Sequence, residues 1–373
     1  MNKKTNTVKE ILIFGLSENQ GGIETYLKKI WDNIDHSKYH FNFIDITGKN
    51  KVPCFYNEFI ASGASFYKVT PRNVSFAKNR KEISELFKNN HFDVFHFNVN
   101  SLSYVFPVNE AIKNRIPVIV HSRNGGTTLS RITLLFHYCN KMMLQAKKIT
   151  RIAVSTIAGE WLFGSSRFTV YNNGVDDKRF TFSETDRQEI RNDLQCGNAH
   201  VIGNVGAFLP AKNHEFIIKV FDKVLQEDDK AVLWLIGEGP GLEAMKTLVS
   251  NLGIEQQVYF LGKRTDITKL YAGMDCFFFP SLYEGFPNAV LEAECEGLPC
   301  VISDTITKEV LIGSKSCMLN LSEDENTWVE CIIQKLSEKN NDRIHAHEIV
   351  RAEGLSVEQE IERIEKLYSS LCT

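Results

Sequence analysis

The chain runs to 373 residues, 43% hydrophobic and 24% charged, with a formal net charge of −3. That length exceeds one ordinary core and suits two domains of about 150–200 residues each. No apolar run approaches the ~18 residues a membrane span requires, and the nine scattered cysteines form no C-x-x-C pair, so neither a membrane helix, a disulfide framework nor a zinc site is expected. The cysteines read as small, mostly buried thiols in a reducing cytoplasm.

In chain order, the N-terminal "MNKKTNTVKEILIFG" reads as a first strand rather than a signal peptide, because its apolar run is only a strand long. Further strands follow as "HFNFIDI", "SFYKV", "FDVFHFN", "IPVIVHS" and "RIAVS", separated by helical patterns such as "IETYLKKIWDNI" and "SFAKNRKEISELFKNN". The alternation restarts after a hinge around Asn173 to Ser183. There "HVIGNVGAF", "AVLWLIG", "QVYFLG", "CFFFPS" and "PCVIS" alternate with "HEFIIKVFDKVLQE", "LEAMKTLVSNLG", "DITKLYAGM" and "NAVLEAECEG". Strand and helix alternating twice over predicts an α/β protein of two doubly wound, Rossmann-like parallel-sheet domains. The boundaries are expected at 1–180 and 181–355, with a final amphipathic helix, 356–373, that returns to the first domain. Ligands of such sheets bind at the carboxyl ends of the strands, so the expected site is a cleft between two facing sheets.

Charge divides the same way. Residues 1–180 hold 25 Lys and Arg against 14 Asp and Glu, a balance of +11, while the remainder holds 18 against 32, or −14. The basic half carries no zinc-finger, RNP-type or helix-turn-helix cue, so nucleic acid is not an expected partner. An anionic membrane surface or an anionic lipid-linked substrate fits better. The plainer alternative is a solvated basic face.

Candidate site residues sit at strand ends. Gly21 and Gly22 give a tight turn after the first strand as a helix begins. His121 closes "IPVIVHS" and precedes a polar loop, which places it at the expected mouth of the cleft. Lys212 lies between a strand and a helix, where it can meet an anion together with free helix amides. Gly237 opens the close-approach turn "IGEGPG", and Lys263 ends "QVYFLGK". In "SLYEGFPNAVLEAECEG", Glu284 and Glu292 have seven residues between them, and Pro287 and Asn288 open a helix. The amides there can cradle a phosphate, Glu292 can accept hydrogen bonds from vicinal hydroxyls such as those of ribose, and Glu284 faces whatever lies beyond the phosphates.

"EGFPNAVLE", "GGIE", "NNGVD", "AKNHEF" and "SLYEGFPNAVLEAECEGLPCVISDTITKEV" together resemble glycosyltransferase family 4, whose fold is GT-B, and the last stretch is most similar to bacterial capsular and exopolysaccharide transferases. The resemblance implies a retaining, hexosyltransferase-type enzyme that takes a sugar from a nucleotide-diphosphate donor such as a UDP-sugar. The implied acceptor is a saccharide or lipid-linked saccharide of a surface polysaccharide (capsule, exopolysaccharide or lipopolysaccharide), with no cofactor and no metal. The cysteine usage and the basic first half together lead to the expectation of a cytoplasmic protein, peripheral at the inner face of the membrane. By resemblance Glu284 contacts hydroxyls of the donor sugar, Glu292 the ribose, and Lys212 the diphosphate. Gly285, Phe286, Pro287, Asn288 and Ala289 meet sugar and phosphate, Lys263 the base, and His121 lies near the donor sugar, with Gly21 and Gly22 near its phosphate or the acceptor. One position departs from the family, which usually has arginine after the strand-end glycine; here Gly206 is followed by Ala207.

With no metal-binding D-x-D in view, the leaving diphosphate is expected to be stabilised by Lys212 and helix amides. Retention without an obvious nucleophile fits front-face attack, with Glu284 as a positioning residue. Two rivals are a GT-B sugar-nucleotide epimerase, which needs no acceptor, and a catalytically inactive nucleotide-binding subunit, for which Ala207 is the best support.

Overall fold

The computed structural model describes residues 8–126, 129–313, 315–338 and 343–372. They form two compact units, one made of residues 1–173 and 358–373, the other of residues 174–357.

The N-terminal unit holds seven parallel strands: β1 (Lys9–Phe14), β2 (Tyr39–Asp45), β3 (Ser65–Lys68), β4 (Val94–Val99), β5 (Val118–Ser122), β6 (Thr150–Ala153) and β7 (Thr169–Val170), in the order β3-β2-β1-β4-β5-β6-β7. Central strands of a parallel sheet are covered on both faces, which is why they read as apolar runs rather than alternations. All residues of β4 and β5 are buried, polar ones included. Phe14 aligns with Phe97, their rings 4.8 Å apart, so β1 and β4 are joined by side chains as well as by the ladder. The helix Gly22–Asn33 buries Tyr26, Leu27, Ile30 and Trp31, one stripe at helical spacing.

The helix Val357–Leu371 belongs mostly to this unit. Lys29 pairs with its Glu360 at 2.6 Å, Tyr39 donates its hydroxyl to the carbonyl of Glu365 at 3.0 Å, and the Tyr368 hydroxyl lies 2.8 Å from Nδ1 of His96. These polar contacts fix the helix against β2 and β4 beyond what apolar burial alone specifies.

The C-terminal unit holds six parallel strands: β8 (His200–Val205), β9 (Ala231–Ile236), β10 (Val258–Gly262), β11 (Cys276–Phe279), β12 (Cys300–Ser303) and β13 (Cys317–Leu319), ordered β10-β9-β8-β11-β12-β13. Its core gathers Ile202, Phe221, Leu233, Phe278 and Trp328, with the Trp328 ring 5.3 Å from Phe216. Where the chain enters and leaves this unit, Val175 and Ser356 form a parallel bridge, with Val175 donating to Leu355 at 2.9 Å and Val357 donating to Val175 at 2.8 Å.

One expectation about the cysteines is corrected in part. Cys139 is exposed rather than buried. Cys317 on β13 and Cys331 on the helix Glu325–Ser337 face one another, but their Cα atoms, 7.8 Å apart, stand beyond the usual span of a disulfide.

Candidate active site

In both sheets the strand order reverses beside the first strand, at β1/β4 and at β8/β11, and crevices for ligands form at such reversals. Three loops meet near the second one. The Gly206 amide donates to Ile236 and the Gly237 amide to Gly262, both at 2.9 Å, which laces together the ends of β8, β9 and β10. Gly237 has φ +144°, and a Cβ there would lie 2.1 Å from the Gly206 carbonyl oxygen, so only glycine lets the loops approach this closely. Phe208 donates to Glu238 at 3.0 Å, and Ala207 between these contacts is exposed.

Lys212 ends the short turn Pro210–Lys212, and Asn213 takes a left-handed conformation to start the next helix. Two hydrogen bonds tie this turn to the loop after β11: Asn213 Nδ2 donates to Pro280 at 3.1 Å and the Leu282 amide to Ala211 at 2.8 Å. The stitching delivers Lys212 Nζ to within 2.5 Å of Glu284 Oε1 and 4.8 Å from the centre of the Phe279 ring. Two candidates 72 residues apart in sequence thus form one ion pair. Both are partly accessible, so the pair can be opened by an anion competing for the lysine.

The helix Asn288–Cys295 starts directly after Pro287, with no side-chain cap on its first turn. Gly285, Phe286 and Pro287 are buried; Asn288 and Ala289 are half-buried. The positive end of this helix lies just after Glu284 in the chain. Glu292, half-buried, accepts a hydrogen bond from Tyr271 Oη at 2.9 Å through Oε2. Tyr271 was not anticipated: burial, then the Glu292 charge, pushes its hydroxyl well above the usual tyrosine range, so it remains a donor. The same helix carries two further acids with a different task. Glu294 accepts from the Gly313 amide at 2.6 Å and from Ser316 Oγ, and burial pushes it up to about 7. Burial pushes Glu296 to about 8, against the opposing charge of Arg343. The alternation E-A-E-C-E therefore separates one half-buried carboxylate from two buried ones. Lys263 is exposed after β10, while Arg264 is held by Asp266 at 2.8 and 2.5 Å.

In the N-terminal unit Gly21 is the N-cap of its helix and Gly22 the first helical residue, both exposed. Glu24 accepts from the amide and hydroxyl of Ser17 at 3.0 and 2.6 Å, which closes the loop around them. His121, expected at an open strand end, is instead fully buried. Its Nδ1 lies 3.1 Å from His96 Nε2 and its Nε2 lies 3.1 Å from Nη1 of Arg123, so both ring nitrogens are engaged. Burial first, and the Arg123 charge second, hold its pKa well below the usual histidine value. Arg123 is itself buried, over the Tyr26 ring at 3.6 Å and donating to Asn173 Oδ1 at 2.9 Å. The difference arises because β5 is an inner strand flanked by β4 and β6, and burial continues past its end to Arg123.

The chain is similar to known proteins. Residues 186–347 match the model of glycosyl transferases group 1. The putative glycosyltransferase EpsF of Bacillus subtilis (strain 168) is 29% identical over 371 residues, 94% of each chain. The UDP-Gal:alpha-D-GlcNAc-diphosphoundecaprenol alpha-1,3-galactosyltransferase of Escherichia coli is 23% identical over 296 residues, 74% of this chain and 75% of that one. Among solved structures, Anabaena Alr3699/HepE in complex with UDP and glucose superposes with a TM-score of 0.78 at 19% identity, covering 97% of this chain and all of that one. That likeness establishes the GT-B fold.

Proposed function

We propose that this chain, which matches the model of glycosyl transferases group 1 over residues 186–347, moves a sugar from a UDP-sugar to a saccharide or lipid-linked saccharide acceptor in surface polysaccharide biosynthesis, with retention at the anomeric carbon. The observation that carries this reading is the Lys212–Glu284 pair at 2.5 Å, close in the chain to the start of the helix Asn288–Cys295. An incoming diphosphate takes Lys212 from Glu284. Glu284 is then released to accept hydrogen bonds from sugar hydroxyls, and Glu292, fixed by Tyr271, holds the ribose. The leaving diphosphate is met by Lys212 and the first-turn amides, an arrangement that needs no reorganisation during reaction. We infer no requirement for metal. UDP named with a structural neighbour and UDP-Gal named with a relative support the choice of nucleotide.

The acceptor side is proposed to work at an anionic membrane surface. The helix Arg131–Gln145 exposes Ile132, Leu135, Phe136, Met142 and Met143, a stripe at helical spacing that faces outward rather than into the core. Lys147 and Lys148 follow it, exposed. An outward apolar stripe with basic flanks matches an interfacial helix.

Purified protein incubated with UDP-glucose, UDP-galactose and UDP-N-acetylglucosamine, with and without EDTA, tests the chemistry. Proton NMR is expected to show an α-linked product or α-sugar released by slow hydrolysis, unaffected by EDTA. Turnover to an epimerised nucleotide-sugar, or no turnover of any donor, counts against it. Sedimentation with vesicles of anionic lipid tests the surface, with Phe136→Glu/Met142→Glu expected to abolish binding.

A further inference from the structure

Lys212 and Glu284 are exclusive partners. Nζ meets Oε1 at 2.5 Å, and among the described residues neither side chain has another hydrogen bond or ion pair. The lysine is also confined. Its stem lies across Gly206, where a Cβ would stand 3.3 Å from Cδ, and its ammonium sits 4.8 Å from the centre of the Phe279 ring. Ala207, next to Gly206, supplies no second charge. At 21% and 17% exposure the two side chains are open enough for a ligand to reach and shielded enough for a lost contact to matter.

One cation therefore serves two anions, the carboxylate beside it and any diphosphate that enters. Three states follow. Without ligand, Lys212 and Glu284 are paired. With UDP alone, the diphosphate draws the ammonium away, and Glu284 keeps its charge, lacks its donor and lies near a second anion. With a UDP-sugar, hydroxyls of the sugar donate to the carboxylate and replace the lysine. Every diphosphate has to break the pair, and only one that carries hydroxyls offsets the loss.

We propose that the Lys212–Glu284 pair determines specificity between donor and product: it favours the intact nucleotide-sugar over the spent nucleotide and so speeds release of UDP. The proposal rests on the transferase reading above and adds to it this discrimination. Once the sugar has gone to the acceptor, Glu284 has lost its hydroxyl donors and competes with the diphosphate for Lys212. UDP bears more negative charge than a UDP-sugar at neutral pH and pulls harder on any cation; Glu284 opposes that pull. Discrimination of this kind is a difference of two affinities, set by a repulsive contact as much as by an attractive one.

Calorimetry on the full chain, with no acceptor present, compares UDP, the methyl ester of UDP, UDP-glucose, UDP-galactose and UDP-N-acetylglucosamine. The methyl ester carries the charge of a UDP-sugar without its hydroxyls. Wild type is expected to bind at least one UDP-sugar roughly tenfold more tightly than the methyl ester. E284Q is expected to bind UDP and the methyl ester about threefold more tightly than wild type, and that UDP-sugar no more tightly. UDP dissociation from E284Q, followed by stopped flow, should slow to match. A merely structural pair predicts that E284Q weakens all ligands together. Wild type that binds no UDP-sugar better than the methyl ester, or a folded E284Q that binds UDP no more tightly, overturns the discrimination and leaves the transferase reading standing. Binding of neither UDP nor any UDP-sugar strikes the transferase reading instead. The wild-type comparison needs no variant, so a misfolded E284Q does not decide the outcome.

Discussion

The two units repeat one sheet plan and stock its reversal point with different chemistry. At β1/β4 the lining is carboxamide and hydroxyl, with buried histidines behind it. At β8/β11 the side chains are a lysine and two accessible glutamates, backed by a helix start. Topology supplies a crevice twice, while loop residues decide the chemistry each one offers. Inside, the N-terminal unit buries the pair His96 and His121 and the C-terminal unit buries Glu294 and Glu296, although each also buries a group of the other kind, Glu24 in the first and His214 in the second.

The strongest way to break the contrast is Lys212→Ala. It removes the cation and leaves Glu284 as an uncompensated negative charge beside an incoming diphosphate. A charge-assisted hydrogen bond is worth ~1.5–3 kcal/mol, so UDP affinity in calorimetry is expected to fall roughly 10- to 150-fold. Adding Glu284→Gln should recover part of that loss, because the repulsion goes with the charge. Unchanged affinity in the single variant would remove the diphosphate from this loop.

Ala207→Arg sharpens the contrast by adding a second cation. The position is exposed between contacts that fix its backbone, so the new side chain meets no packed neighbour. A gain of ~1–2 kcal/mol, up to about thirtyfold in UDP affinity, is expected from a bidentate guanidinium–phosphate contact. Equal binding by Ala207→Arg and wild type would show that the phosphates lie out of its reach.

Glu292→Gln should act more weakly, by about tenfold, since one carboxylate oxygen is already occupied by Tyr271 and only part of its capacity faces a ribose. The comparison of UDP with 2′-deoxy-UDP checks the assignment: the preference for ribose should shrink in the variant. A preference that stays the same places the ribose elsewhere.

The smallest effect is on stability against pH, and its sign differs between the units. Burial and the Arg123 charge hold His96 down to about 3, so its contribution is full above the unfolded value near 6.5 and is lost as pH falls toward 3. Glu294 and Glu296, pushed up to about 7 and about 8, favour the protonated form, so the C-terminal unit gains stability as pH falls from about 8 toward the unfolded value near 4.5. His214, held down to about 4 by burial and Lys212, opposes one of those carboxylates. Between pH 7.5 and 5.5 each change is on the order of 1 kcal/mol. Hydrogen exchange corrected for intrinsic rate should show N-terminal peptides losing protection and C-terminal peptides holding or gaining it. Parallel loss in both units would contradict the assignment.

The strands were legible because they are apolar runs bounded by turns, and the helix Asn288–Cys295 because Pro287 and Gly297 bracket it. The two-residue β7 and three-residue β13 were not, since each is short and held mainly by its neighbour. Lys212, Glu284 and Glu292 stood out in sequence through residue type and position, but the pairing of the first two depends on two loop-to-loop hydrogen bonds that no local pattern encodes. His121 shows the reverse case. A polar residue at a strand end suggested openness, yet the neighbouring strand and Arg123 close over both nitrogens.

Residues 358–373 complete the N-terminal unit although they are made after residues 174–357. During synthesis the ribosome therefore releases every residue of the C-terminal unit before His96 can meet Tyr368. The usual order, in which the first-made domain folds first, is reversed at this step. A chain stalled or cut near Ser356 carries a finished C-terminal unit and an N-terminal one whose buried histidine has lost its tyrosine partner. Quality control that recognises exposed core would find premature termination products of this protein in their first half, far in sequence from the break.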